Sequence, residues 1–379
     1  MSTRPLYLDC NATTPLDPRV REVMLAYLDR DYGNAGSRTH IWGAEAARAI
    51  SRARNQICQV VEAEPADVIF TSGATESNNL ALLGLAAYGK KANKRHVIST
   101  QIEHKAVLEP LEYLKDQGFE VELLPPTADG MVSSSDLQAA LRDDTLLVSI
   151  MHVNNETGVI QPIVEIADLL QGHEAFFHTD AAQGFAKDLP SLRHPRIDLI
   201  SMSGHKVYGP KGVGALIART TSDRRAPLSP LYYGGGQERG LRPGTQPVFL
   251  IAAMGEAATL LDQENALWHE KCMKIKHALL DALRDTGVRI NGNQDCSLPS
   301  TLNFYAEGID SEALILALKD DFAISNGSAC TSDKMTPSHV ISAMHPRSDI
   351  ADWSVRVSWS HMTDMPDFSA FAVAIKSLL

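Results

Sequence analysis

Ser201-Met202-Ser203-Gly204-His205-Lys206 follows the apolar run Ile197 to Ile200, so its lysine stands just past the end of a strand-like segment. Upstream, a second apolar run, Ala175 to His178, ends in Thr179-Asp180-Ala181-Ala182-Gln183. A lysine so placed supplies an amine for a Schiff base, and an aspartate supplies a counter-charge for a protonated ring nitrogen. If the two strands share one parallel sheet, both side chains emerge at its carboxyl edge, where such sheets bind ligands.

Working outward, strand-like runs alternate with helical patterns across the middle of the chain. The runs are Val68 to Thr71, His96 to Thr100, Val121 to Leu124, Leu146 to Met151, Ala175 to His178, Leu199 to Met202 and Val213 to Ala218. Helical spacing lies between them, at Glu76 to Tyr88, Ala106 to Gln117, Ser135 to Leu141 and Ile163 to Gln171. This alternation predicts an α/β fold with a seven-stranded, mostly parallel sheet covered by helices. The Gly- and Pro-rich stretch from Pro227 to Pro247 breaks the pattern and reads as a loop. A long helix from Val248 to about Leu283 follows. The remainder reads as a smaller α+β domain, with strands at Thr301 to Tyr305, Phe322 to Ile324 and Ser354 to Ser358. We expect a large domain over 16–248 and a small one formed by 1–15 and 249–379.

Composition narrows the class. The 379 residues are 44% hydrophobic and 21% charged, ordinary for a globular protein with a sizeable core. A net charge of -11 disfavours a general nucleic-acid binder, so any nucleic-acid role is expected to be indirect. No run approaches the roughly 18 apolar residues of a membrane span. Met1 to Pro5 lacks the pattern of a signal peptide, and a cytoplasmic location is expected. Cys10, Cys58, Cys272, Cys296 and Cys330 are scattered and form no CxxC pair, so neither a disulfide frame nor a metal site is expected.

Other strand ends carry polar groups. Thr71-Ser72-Gly73-Ala74-Thr75-Glu76-Ser77-Asn78 opens a helix after a strand, which suits an anion and equally suits an ordinary N-cap. Ser203 and His205 beside Lys206 add donors for the same anion. His104 follows His96 to Thr100 and suits stacking on a flat ring and proton transfer, or a plain surface loop. Asn154-Asn155-Glu156-Thr157-Gly158 offers an amide, or a simple turn. Gln183 stands three residues after Asp180. Taken together, phosphate donors, an imidazole, an amide, an acid and a lysine at successive strand ends point to a pyridoxal phosphate site.

At this point the motifs resemble a known family, the NifS/IscS-type cysteine desulfurases of the aminotransferase class V group, which are fold-type I pyridoxal phosphate enzymes. The resemblance runs nearly end to end. It rests on Tyr7-Leu8-Asp9-Cys10-Asn11-Ala12-Thr13-Thr14-Pro15, on Phe70 to Asn79, on Ser203-Gly204-His205-Lys206-Val207-Tyr208-Gly209-Pro210-Lys211-Gly212, and on Gly240-Leu241-Arg242-Pro243-Gly244-Thr245. It implies that Lys206 holds the cofactor, Asp180 pairs with its ring nitrogen, Gln183 binds the ring hydroxyl, Asn155 binds cofactor, and His104 stacks on the ring and moves protons. Ala74, Thr75, Ser203 and His205 would bind phosphate, with Thr245 supplied across a homodimer interface. Arg356, Asn155 and Asn34 would contact the substrate, L-cysteine, with Arg356 clamping its carboxylate.

The resemblance also assigns the reaction. Cys330, in Ser325-Asn326-Gly327-Ser328-Ala329-Cys330-Thr331-Ser332, matches the family's nucleophile and would carry a persulfide for a sulfur-acceptor protein, leaving alanine. Such donors serve iron–sulfur cluster assembly, tRNA thiolation or DNA phosphorothioation. The Asp9-Cys10-Asn11 opening and compact length lean toward a specialised donor of the last kind. A selenocysteine lyase, an aminotransferase, a β-eliminating lyase or a non-catalytic scaffold are the competing readings. Two segments depart from the family pattern: Asn34-Ala35-Gly36-Ser37 where Asn-Pro-x-Ser is usual, and Trp359-Ser360-His361 after the arginine, where a bulky Trp359 is expected to reshape the acceptor approach.

Overall fold

The computed structural model describes residues 4–185, 187–220, 224–327 and 337–378. Its centre is the sheet that the apolar runs predict. Twelve strands occur among these residues, and we number them in chain order. β1 is Leu6–Tyr7, β2 Val68–Thr71, β3 His96–Thr100, β4 Glu120–Leu124, β5 Thr145–Ser149 and β6 Phe176–Asp180. β7 is Leu199–Ser203, β8 Gly214–Ala218, β9 Arg289–Ile290, β10 Thr301–Tyr305, β11 Phe322–Ala323 and β12 Ser354–Ser358. The seven-stranded sheet runs β2-β8-β7-β6-β5-β3-β4. β8 is antiparallel to both of its neighbours, and the other pairings are parallel. Every residue of β3, β5, β6, β7 and β8 is buried, because helices cover both faces. At the edge, β4 alternates between exposed and covered positions, as a strand with one free side should.

Direction matters more than order here. β8 reverses the chain between β7 and β2, so β2 runs the same way as β3, β5, β6 and β7. The segments after Thr71, Thr100, Ser149, Asp180 and Ser203 therefore leave from one edge.

The stretch expected as one helix over Glu76 to Tyr88 is two, Ala74–Leu83 and Ala86–Ala92. The break falls at Gly84, whose carbonyl accepts from Ser229 N–H at 2.8 Å. The incoming loop chain thus takes a bond the helix would have used.

The helix Val248–Leu283 is 36 residues long, which at 1.5 Å per residue spans about 54 Å. Its first half, through Trp268, joins the core shared with helices Pro18–Asp29 and Ile41–Val60. From Cys272 to Leu283 it packs instead with Leu302, Phe304, Val355, Val357 and Phe371. β9, β10 and β12 form an antiparallel sheet over this second core, and β1 pairs with β11 nearby. Among the described residues, no helix is long and apolar enough to cross a membrane.

Trp359 corrects one expectation. Its side chain is fully buried in the second core, and its indole N–H donates to Cys272 O at 3.0 Å. It therefore anchors β12 to the long helix, and it does not line the cavity described below. Trp359→Ala should cost about 3–5 kcal/mol of stability by cavity formation. Trp359→Phe should cost less, about 1–3 kcal/mol, by losing that extra hydrogen bond and part of the packing. Denaturant unfolding of both variants tests this order, and a neutral Trp359→Ala would refute the anchoring role.

Candidate active site

The carboxyl edge of the sheet encloses a cavity of about 460 Å³, in the range of small-molecule sites. Asp180 closes β6 and stands at this edge. Its Oδ2 accepts from Asn78 Nδ2 at 2.7 Å and its Oδ1 from Ala182 N–H at 2.9 Å, so the carboxylate is held by a donor at each oxygen. Lys206 ends the single 3-10 turn after β7. Its ammonium donates to the carbonyls of Asn11 and, at 2.9 Å, of Ala12. Gln183 Nε2 donates to the same Asn11 carbonyl at 2.8 Å.

The opposite part of the cavity is built for an anion. Ser72, Gly73, Ala74 and Thr75 line it at the N-terminus of helix Ala74–Leu83, where backbone N–H groups lack helical partners. Gly214 lets this turn lie against the sheet: a Cβ there would stand 2.6 Å from Gly73 Cα. Ser203, His205 and Lys211 complete the wall. Burial, and then the charges of Lys206 and Lys211, push His205 down to about 4, so it faces the site as a neutral donor and acceptor. Glu76 ties the neighbouring loop to the turn. Burial alone would raise its pKa, but donors from Arg242, Ser72 and Tyr232 outweigh that and bring it to about 2.

His104 caps the helix Lys105–Asp116, its Nδ1 accepting from Ala106 N–H at 3.1 Å. Burial lowers its pKa against the opposing charge of Asp180, with Lys206 adding to the effect, and because Nδ1 accepts from Ala106 the neutral ring carries its proton on Nε2. Beside it Glu103 is fully buried. Its Oε1 accepts from Met151 N–H at 2.8 Å and from Thr100, and burial raises it to about 8.

Arg356, on β12, reaches the cavity from the small sheet. Its Nη1 donates to Asn155 O at 3.0 Å and its Nη2 to Asp9 Oδ1 at 2.6 Å. The backbone of Ser325 exchanges two hydrogen bonds with Arg356, at 3.2 and 2.6 Å. Gly327 follows at φ +90, and a Cβ there would stand 2.9 Å from Glu156 Oε2, the oxygen that pairs with Ser338 Oγ. Residues 327 and 338, which flank the cysteine segment, thus meet at Glu156, next in sequence to Asn155. Cys330 itself lies outside the described residues.

Ala74, Thr75, His104, Asn155, Asp180, Gln183, Ser203, His205, Lys206 and Arg356 all line one cavity. Thr245 and Asn34 do not. Thr245 is exposed on the loop that Glu76 anchors, and Asn34 is exposed with its Oδ1 accepting from Gly36 N–H at 2.9 Å. Asn11, Asn78, Lys211 and Asp9 stand in the quoted motifs, but the sequence alone assigns none of them an individual role in the site. Only Asn78 carried a usable signal, one helical turn after Ala74 on the helix that opens at the anion turn. An anchored acid, a primary amine, a neutral imidazole and an anion cradle in one cavity fit pyridoxal phosphate.

The chain belongs to the aminotransferase class-V family, whose pattern it matches over residues 6–371. Within that family it stands among the cysteine desulfurases of the NifS/IscS type. It is 44% identical to cysteine desulfurase IscS of Vibrio cholerae over 95% of this chain and 89% of that one. The crystal structure of DndA from Streptomyces lividans superposes with a TM-score of 0.82 at 47% identity, covering 91% of this chain and 97% of that one. SspA in complex with cysteine superposes with a TM-score of 0.81 at 37% identity, covering 93% and 98%.

Glu103 gives a pH signature. Its folded pKa, about 8, lies above the usual 4.5, so between those values the folded state keeps a proton the unfolded chain has released. Its stabilising contribution is fully present below about 4.5 and is lost as pH rises through about 8. Glu103→Gln stays neutral, so its stability should fall less than that of the parent across this window. Urea unfolding at stepped pH measures the difference, and parallel pH profiles would contradict the assignment.

Proposed function

We propose that the protein removes sulfur from L-cysteine as a pyridoxal phosphate-dependent cysteine desulfurase, releasing L-alanine and leaving the sulfur as a persulfide on Cys330. The observation that carries this reading is the convergence of Asp180, Lys206, His104 and Arg356 on one cavity at the sheet's carboxyl edge. Similarity to cysteine desulfurases over 95% of the chain supports it.

The cofactor, when bound, supplies an electron sink that weakens bonds at the substrate's α- and β-carbons. The chain supplies position and protons. Asp180, fixed by Asn78 and Ala182, offers the counter-charge for a ring N–H. The turn at Ala74 and Thr75, with Ser203 and His205, holds the phosphate. Lys206 is the attachment point, and its Nζ is placed to take up and return a proton. His104 presents Nε2–H toward the same space. Arg356 pairs with the substrate carboxylate, and Asn155, whose backbone carbonyl that arginine holds, borders the same end of the cavity. Cys330 attacks the substrate sulfur as a thiolate, and a protein acceptor then takes the persulfide sulfur for cluster assembly or for thiolation of nucleic acid.

We also read the enzyme as a cytoplasmic homodimer, with Thr245 of each subunit completing the neighbouring phosphate site. The exposure of Thr245 and the stapling of its loop to the anion turn through Arg242 and Tyr232 support this. We also divide the chain into a domain over 16–248 and one over 1–15 and 249–379, with the long helix shared between them: through Trp268 it packs in the first core and from Cys272 in the second.

Cys330→Ala should abolish sulfide release from L-cysteine while keeping the visible absorbance of the bound cofactor. Unchanged sulfide release in that variant would overturn the role of Cys330. Lys206→Ala should lose the lysine-linked absorbance and the activity together.

A further inference from the structure

We propose that Asp9 is a built-in competitor for the substrate's carboxylate at Arg356. The inference rests on the reading of Arg356 as the carboxylate clamp.

The guanidinium of Arg356 is nearly sealed inside the protein, its side chain 2% exposed. Nη1 is committed to the Asn155 carbonyl at 3.0 Å. Nη2 faces Asp9 Oδ1 at 2.6 Å, and Nε is buried without a hydrogen-bond partner. Asp9 therefore already holds the charge-assisted contact that a second carboxylate needs. Of the two partners, Asp9 is the more exposed, at 19% of its side chain. Its backbone is fixed on both sides: Tyr7 Oη donates to its carbonyl at 2.9 Å, and Cys10 N–H donates to Ser358 O at 3.1 Å. With the backbone held, the side chain is the part of Asp9 that can yield, and its partial exposure leaves it room to turn away from Arg356.

An incoming amino acid must displace Asp9 or share the guanidinium with it against like-charge repulsion. Either route weakens the hold on every α-carboxylate, substrate and product alike. A ligand without a carboxylate meets no such competition. Asp9 thereby sets the affinity for L-cysteine and hastens the departure of L-alanine. A residue that merely oriented Arg356 would act with the opposite sign, since its loss would weaken carboxylate binding.

The test uses the cofactor-loaded enzyme and Asp9→Asn, which keeps an acceptor for Arg356 and removes the charge. KM for L-cysteine should fall about tenfold, and L-alanine, followed by titration calorimetry, should bind tighter by a similar factor. Inhibition by cysteamine, which lacks the carboxylate, should not change. Weaker or unchanged binding of L-alanine overturns the proposal, and so does a parallel shift for cysteamine. Asp9→Ser is read by the same criteria if the asparagine variant does not fold. Arg356→Gln separates the two readings. If it leaves L-cysteine and L-alanine binding intact, the clamp itself is refuted. If it weakens both while Asp9→Asn improves neither, the competitor role alone fails.

Discussion

The site depends on Asn11, whose polar atoms join the two sheets. Its side-chain Nδ2 donates to Asn155 O and Thr301 Oγ1, and its Oδ1 accepts from Thr301 and Lys187. Its backbone N–H donates to Ser358 Oγ, and its carbonyl accepts from Lys206 and Gln183. Thr301 and Ser358 belong to the small sheet, whereas Lys206 and Gln183 belong to the edge of the large one. A buried amide with this many partners has little freedom, because each lost bond would leave a polar group unsatisfied away from water. The opening segment is thus the seam along which the amine and the arginine are brought to one cavity.

Burial sets the chemistry on either side of that seam. His104 and His205 are kept neutral chiefly by desolvation, so they act as hydrogen-bonding groups and leave positive charge to Lys206, Lys211 and Arg356. Glu103 and Glu156 are raised by the same cause, and both lie behind the cavity wall. Negative charge is admitted where donors hold it, as at Glu76 among Arg242, Ser72 and Tyr232. The cavity consequently gathers donors and positive charge at both ends, around the turn at Ala74 and around Arg356.

Much of the fold was legible because buried parallel strands are written as continuous apolar runs, and all seven runs became strands of one sheet. The long helix was legible from its unbroken apolar spacing. The single helix expected over Glu76 to Tyr88 breaks at Gly84 because the bond to its carbonyl comes from Ser229, far along the chain. Trp359 was misread for a similar reason: its distance from Arg356 in sequence is short, yet alternation along β12 and its partner Cys272 turn it into the second core. Ten of the residues assigned from motifs meet in one cavity, while Asn34 and Thr245 lie outside it in this chain.

The sequence by itself determined the strands, the helices and the identity of the groups at the strand ends, because periodicity and turn chemistry are local properties. It also carried the family resemblance, since long motifs survive as strings. Only the tertiary structure decided which of those groups face each other. The insertion of β8 beside β2, the seam at Asn11 and the pairing of Asp9 with Arg356 join residues far apart in the chain, by as many as 347 positions for the last. Their partners are selected by packing and by the need to satisfy buried polar atoms, and neither constraint is expressed in any short stretch of chain.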